Sequence, residues 1–219
     1  MEETVRVVET TDPPSKGSGA SQHQDQQTRA DLEIDIARAQ EYALLATLLL
    51  RAPDDRLLER LACLLGDQTP LGIAHGSLAE AATLASHETL VQEYFRLFIG
   101  VGRGEIVPYA SYYLTGFLQS RPLANLREDL GRLGLQRAES HHDPEDHIGT
   151  LCEVMSSLAS DRKRFSLADE RRFFERHLSP WAMRFFSDLE SAKNAQFYAA
   201  VGTLGRVFMS IEAEAFTLN

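Results

Sequence analysis

The sequence predicts an all-α protein, a single-domain helical bundle of roughly eight to ten helices. Three observations lead there. From Asp31 onward, apolar residues recur at steps of three and four. No stretch rich in Val, Ile and Thr sustains the period-two alternation of a half-buried strand. Ser and Asp followed by acids stand where helices would start, and Pro and Gly stand where they would stop. A length of 219 residues suffices for one sizeable helical core, with little left for a second domain.

The elements follow in order. Residues 1–30 hold no Leu, Ile, Phe, Tyr or Trp and are rich in Ser, Gln, Thr, Asp and Gly. Such a segment cannot bury enough apolar surface to offset its ordering entropy, so a disordered tail is expected, with the helical domain spanning 31–219. Asp31, Glu33 and Asp35 then suit the positive end of a helix macrodipole. Ile36, Ala39, Ala43, Ala46 and Leu50 mark one face of that helix, and Pro53 stops it. Ser77-Leu-Ala-Glu80 has the pattern of a capping box. His87, Val91, Tyr94 and Phe98 share a face beyond it. Asp143-Pro144 is expected to open a further helix, with Asp143 as N-cap, Pro144 at the first position and Asp146 at the third. Ile148, Leu151, Met155 and Leu158 would be its buried face. Ser166-Leu-Ala-Asp169 reads as another cap. Trp181, Phe185 and Leu189 are spaced by four, and Phe197, Val201, Leu204, Phe208 and Ile211 step by four, three, four and three.

Composition narrows the function classes. Hydrophobic residues make up 43% and charged residues 25%, the balance of an ordinary globular protein. The longest apolar stretch, Ala43–Leu50, is broken by Thr47 and falls far short of the ~20 apolar residues of a membrane span. The start, Met-Glu-Glu-Thr, has acids where an export signal places Lys or Arg, so a cytoplasmic protein without stable membrane insertion is expected. The net charge of −10 would repel a phosphate backbone, which argues against nucleic acid, and would attract a basic peptide. Two isolated cysteines, Cys63 and Cys152, make no disulfide framework and read as buried, reduced core residues.

Two segments are aperiodic: Gly100–Ser111, and Leu135–Asp143 leading into His147. Gly100, Gly102 and Gly104 follow a helix and lack a Lys-Ser or Lys-Thr, so a helix stop is expected there and not a phosphate loop. His141, His142, Asp143, Asp146 and His147 have the residue types of a zinc or iron site, but no His-x-x-x-His or Glu-x-x-His pair stands nearby. A metal-binding helical protein, or an enzyme using the His141–His147 cluster, is the rival reading. Asp146 and His147 serve equally well as capping residues and as a binding site. There is no Gly-x-Ser-x-Gly elbow, and neither cysteine has the cationic neighbourhood of a nucleophile. No enzyme activity and no cofactor of its own are therefore expected.

Three ordered patches resemble the TorD/DmsD/NarJ family of molybdoenzyme-maturation chaperones. The first is Glu93-Tyr94-Phe95-Arg96-Leu97-Phe98 with Pro108-Tyr109-Ala110-Ser111-Tyr112-Tyr113. The second is Asp143-Pro144-Glu145-Asp146-His147, similar to the family's Glu-Pro-x-Asp-His signature with Asp in place of the first Glu. The third runs from Phe173-Phe174 through His177, Leu178 and Trp181 to Phe185. The resemblance covers roughly residues 31–216. It implies a cytoplasmic chaperone that binds the twin-arginine signal peptide and the apo catalytic subunit of a molybdenum or tungsten oxidoreductase, as a monomer or a helix-exchanged dimer. The segment Arg103–Gly116 resembles members linked to formate dehydrogenase. Carried over position by position, the resemblance makes Asp146 and His147 signal-peptide contacts, with Pro108, Tyr109 and Tyr112 on the neighbouring loop. For Glu93, Tyr94, Leu97, Phe98 and Trp181 a structural role is expected, and for the three loop tyrosines packing and binding both remain open.

Overall fold

A computed structural model describes residues 18–136 and 144–218. Among these, ten α-helices and one π-helical turn follow one another without a strand, as the periodicity predicts. They are α1 Ser18–Leu50, α2 Asp55–Ala62, α3 Pro70–Leu84, α4 His87–Tyr94, the π-helical turn Phe95–Ile99, α5 Ala110–Thr115, α6 Arg121–Arg132, α7 Ile148–Ser160, α8 Leu167–His177, α9 Ala182–Glu190 and α10 Phe197–Leu218. No helix among the described residues is long and apolar enough to cross a membrane.

The chain divides into two units, residues 1–35 and residues 36–219. Of the expected tail, residues 1–17 lie outside the described residues, and 18–30 form the first turns of α1. Asp31, Glu33 and Asp35 therefore stand inside a helix and not at its start. In this first unit Leu32 and Ile34 are exposed, and Arg29 pairs with Glu33 one turn on.

The second unit carries the core. Its largest fully buried side chains are Trp181, Tyr42, Tyr198, Phe185 and Phe186. The buried face of α1 is Tyr42, Leu45, Leu48 and Leu49 with Ala39 and Ala46, while the expected face members Ile36 and Ala43 are exposed. The reason is area: a Leu or Tyr removes far more apolar surface from water than an Ala, so the helix turns its large residues inward. Close approach of α9 and α10 needs glycine, because a Cβ at Gly205 would collide with the Phe186 ring.

Local signals decided several ends. Ser166 and Asp169 form a reciprocal capping box on α8, as expected. Ser77 does not cap; it lies inside α3, where its hydroxyl donates to the Ile73 carbonyl. The start of α3 is Thr69, whose side chain accepts the Gly72 amide, with Pro70 at the first helical position. Gly100 ends the π-helical turn at φ +63°, where a Cβ would run into the Arg103 carbonyl, so the glycine loop is a helix stop.

Buried charge pins α1, α8 and α10 together. Arg38 donates to both oxygens of Glu212 at 2.7 and 2.6 Å and to Glu170 at 2.7 Å. The Tyr42 hydroxyl donates to Glu212 at 2.8 Å. Burial alone would pull the Arg38 pKa down, but the Glu212 bond and the two carboxylate charges outweigh it and hold Arg38 above its ordinary value. Glu212 is thus the buried residue at the turn where Ile211 was expected; Ile211 is exposed. Cys152 is buried, and burial pushes its thiol up, whereas Cys63 is exposed, against expectation, at the end of amphipathic α2.

Candidate functional site

The Pro108–Ala110 segment and the Pro144–His147 turn run antiparallel and pair through their backbones. The Ile148 amide donates to the Pro108 carbonyl and the Ala110 amide to the Asp146 carbonyl, each at 2.9 Å, which makes an isolated bridge between Tyr109 and His147. The helix expected to start at Asp143-Pro144 starts at Ile148 instead. His147 is its N-cap, its Nδ1 accepting the Gly149 amide at 3.1 Å, which leaves the ring proton on Nε2. The ring stands edge-on to Tyr109 at 5.2 Å. Gly149 is required beside it, because a Cβ would come within 2.7 Å of Leu50 Cγ.

Asp146 therefore does not cap its own helix. Its Oδ2 accepts the Ser111 amide at 2.8 Å, in the first turn of α5, where Tyr109 offers no side-chain cap. The backbone and carboxylate of Asp146 together satisfy two of the orphan amides that every helix start exposes. Its other oxygen, Oδ1, is buried without a hydrogen-bond partner, and so is the hydroxyl of the same Ser111. Asp146 is 1% exposed and lines a cleft of about 90 Å³ walled by Ala110, Leu114, Pro122, Leu126 and Leu151. Leu114 is exposed, and so are Phe117 and Leu118 a few residues further along the chain.

On another wall of this cleft lie Arg176 and His177, the latter at 2.8 Å from buried Asp129. Burial draws the His177 pKa down, against the upward pull of Asp129. Arg132 and Arg176 also bind Asp129, and the Trp181 indole donates to the His177 carbonyl at 2.7 Å. Sequence reading missed Asp129. The available signal was a carboxylate falling among the apolar positions Leu123, Leu126 and Leu130 of α6.

Of the five expected contacts, the structure brings Pro108, Tyr109, Asp146 and His147 together. Tyr112 lines a different cleft, of about 660 Å³, with the Arg103 guanidinium over its ring at 5.1 Å. Tyr113 packs on Trp181 and Phe185, and its hydroxyl donates to Asp188. His141, His142 and Asp143 lie outside the described residues. Among the described residues no group of three or more His, Cys, Asp or Glu comes together as a metal ion would need.

A family model described as the nitrate reductase delta subunit matches residues 65–187, more than half of the chain. The chain belongs to the TorD/DmsD/NarJ family. The chaperone protein TorD of Shewanella loihica is 28% identical over 204 residues, which cover 82% of this chain and 92% of that protein. The Tat proofreading chaperone DmsD of Salmonella typhimurium is 29% identical over 127 residues, which cover 57% of this chain and 61% of that protein. A solved redox enzyme maturation protein from Archaeoglobus fulgidus shares the fold, with a TM-score of 0.54, 21% identity and coverage of 80% of this chain and 93% of that one.

The patches that resemble the TorD/DmsD/NarJ family do different work in the fold. Glu93 accepts the amides of Gln196 and Tyr198, each at 2.8 Å, and of Phe197 at 3.4 Å, so it clamps the start of α10. The Tyr94 hydroxyl donates to the Leu49 carbonyl, and Leu97 is fully buried. Trp181 ties α8 to α9. These are structural roles, as expected. The Asp146–His147 patch joins α5 to α7 and keeps one carboxylate oxygen unused.

Proposed function

We propose that this protein is a cytoplasmic chaperone that binds the twin-arginine signal peptide and the apo form of a molybdenum or tungsten oxidoreductase before export, and that it is not an enzyme. Family membership supports the chaperone class. The Asp146 carboxylate is the single observation that carries the site: one oxygen caps α5, and the other is unsatisfied at a cleft lined by Leu114, Leu126 and Leu151 together with Arg176 and His177. A guanidinium is the natural partner for a carboxylate that already accepts a backbone amide, because charge-assisted bonds are the strongest available to it. The leader's apolar stretch would lie along Leu114, Phe117 and Leu118, in the manner of a helix laid in a groove. Pro108, Tyr109 and His147 set the position of Asp146 through the backbone pairing, whereas Tyr112, the fifth expected contact, lines the separate cleft of about 660 Å³.

Calorimetry with a client's leader peptide tests this, using wild-type protein and Asp146→Asn against leaders carrying Arg-Arg or Lys-Lys. Asn keeps an acceptor for the Ser111 amide while removing the charge. Weaker binding of the Arg-Arg leader to Asp146→Asn, with little further loss for Lys-Lys, is expected. Equal affinity of wild type and Asp146→Asn would reduce Asp146 to a cap. The first client to try is a formate dehydrogenase, given the resemblance of Arg103–Gly116, and the neighbouring genes would identify others.

A further inference from the structure

Two of the protein's own arginines stand near Asp146, and neither is bonded to it. Arg176 shares the cleft of about 90 Å³ that Asp146 lines. Its Nη1 donates to both oxygens of Asp129, at 3.1 and 2.8 Å. The Nε and Nη2 of Arg127 both donate to Glu145 Oε2, at 3.1 and 2.8 Å. The Glu145 bond lifts the Arg127 pKa against a burial cost, and the charge of Asp146 adds to the lift, so Arg127 lies within the field of that carboxylate. Both arginines are exposed, so tight packing holds neither in place. What holds each of them is a carboxylate other than Asp146.

The geometry of α6 makes this division. Arg127 and Asp129 are two residues apart, so they leave the helix on different faces. One face sends a cation to Glu145 on the turn before α7, and the other sends a carboxylate to α8. Asp129 also accepts Arg132 at 2.6 Å and faces His177 Nε2 at 2.8 Å. Burial draws the His177 pKa down, so the imidazole is neutral at pH 7 and leaves the charge of Asp129 to the two arginines. Arg132 has a second acid, Glu128 at 3.8 Å, whereas among the described residues Arg176 is ion-paired to Asp129 alone. Without the charge of Asp129, Arg176 would be stranded in the same cleft as the unbonded Oδ1 of Asp146. An arginine that is already part of the fold pays no association cost to bond Asp146, and a leader's arginine does. The internal partner wins unless something holds it elsewhere.

We infer that Asp129 and Glu145 are positioning residues for leader binding: they hold Arg176 and Arg127 off Asp146 and keep its unbonded oxygen open to an arginine from outside. The inference rests on the leader reading of Asp146. Neither carboxylate touches the leader; each acts through the arginine it holds.

The test is calorimetry with the Arg-Arg leader on four variants, with circular dichroism to confirm folding. They are Asp129→Asn, Asp129→Asn with Arg176→Gln, Glu145→Gln, and Glu145→Gln with Arg127→Gln. The single variants should bind the leader more weakly, about tenfold for Asp129→Asn and about threefold for Glu145→Gln, whose arginine is the more exposed of the two. Each paired variant should recover most of its loss. A carboxylate that merely supports the fold behaves otherwise, because deleting its partner repairs nothing. Single variants that bind like wild type, or losses that neither pair recovers, would overturn the inference. If Asp129→Asn does not fold, the Glu145 pair decides, since Arg127 is exposed and such a pair contributes little to stability. Urea denaturation gives a readout without leader. The unfolding energies of Arg176→Gln and Asp146→Asn should add in the wild-type background and fail to add in Asp129→Asn, where the two side chains meet. Additivity in both backgrounds would mean that Arg176 never reaches Asp146 and would overturn its part of the inference. If Asp146→Asn binds the leader as wild type does, the leader reading fails, and non-additivity would still show that Asp129 holds Arg176 off Asp146.

Discussion

Glu93 and Asp146 are both buried carboxylates, and both hold the start of a helix that is not their own. They differ in how completely they are used. Both oxygens of Glu93 are bonded, to three successive amides at the mouth of α10. Asp146 commits one oxygen to Ser111 and leaves the other without a partner at the edge of a cleft. An unsatisfied buried acceptor costs about 1–3 kcal/mol, so it persists where something else compensates. The fully bonded carboxylate is therefore a fastening, and the half-bonded one is the residue on which the proposed leader site rests.

The comparison predicts opposite phenotypes. Glu93→Ala should have the largest effect on stability, a loss of about 3 kcal/mol, because it strands three buried or half-buried amides at once. Urea denaturation would measure it, and leader affinity of the folded fraction should not change. Asp146→Asn should do the reverse. Losing one member of a desolvated charge pair costs about 2 kcal/mol or more in binding, whereas Asn can still accept the Ser111 amide, so the melting temperature should move little. If Asp146→Asn unfolds the protein while Glu93→Ala weakens the leader, the assignment of roles is inverted.

Much of this contrast was hidden in the sequence. Periodicity exposed the helices because burial of an apolar face repeats every three to four residues, and Ile148, Leu151, Met155 and Leu158 are all fully buried. It failed where one residue's role is set by a distant partner. Glu212 occupies a core position only because Arg38 and Tyr42, more than 160 residues away, meet it there. Asp143-Pro144 looked like a helix start, yet Asp146 and His147 are drawn out of that helix by pairing with Pro108 and Ala110. The signature residues were legible as a group; which oxygen of Asp146 is occupied was not.

Gly149→Ala sharpens the comparison from the backbone side. The added Cβ would press on Leu50 Cγ and approach His147 Nδ1 at 3.2 Å. Overpacking of this kind costs about 1–2 kcal/mol and would push the His147 cap off the turn that carries Asp146. Thermal denaturation should show the loss. Leader affinity should fall as well, although residue 149 touches no part of the proposed guanidinium cleft. Retained affinity would mean that the placement of Asp146 tolerates movement of its neighbour.

A third buried carboxylate, Glu41, tests whether an unused oxygen is enough to make a site. Its Oε2 pairs with His75 Nε2 at 2.9 Å, and its Oε1 has no partner, yet Glu41 borders none of the clefts described here. The partner also differs in kind, because an amide does not titrate and an imidazole does. The bond from Glu41 holds His75 above its ordinary pKa. A raised folded pKa means that the pair's contribution is complete below the ordinary histidine value of about 6.5 and is lost as pH rises through the raised value. The stability gap between wild type and His75→Ala should therefore be widest near pH 5.5 and narrow by pH 8.5. The pair is partly exposed, which limits the change to less than about 1 kcal/mol. Urea midpoints across that range would show it, and leader affinity of His75→Ala at either pH should match wild type. A leader that followed the His75 titration would place Glu41 with Asp146, and the cleft, not the unused oxygen, would cease to be what separates them.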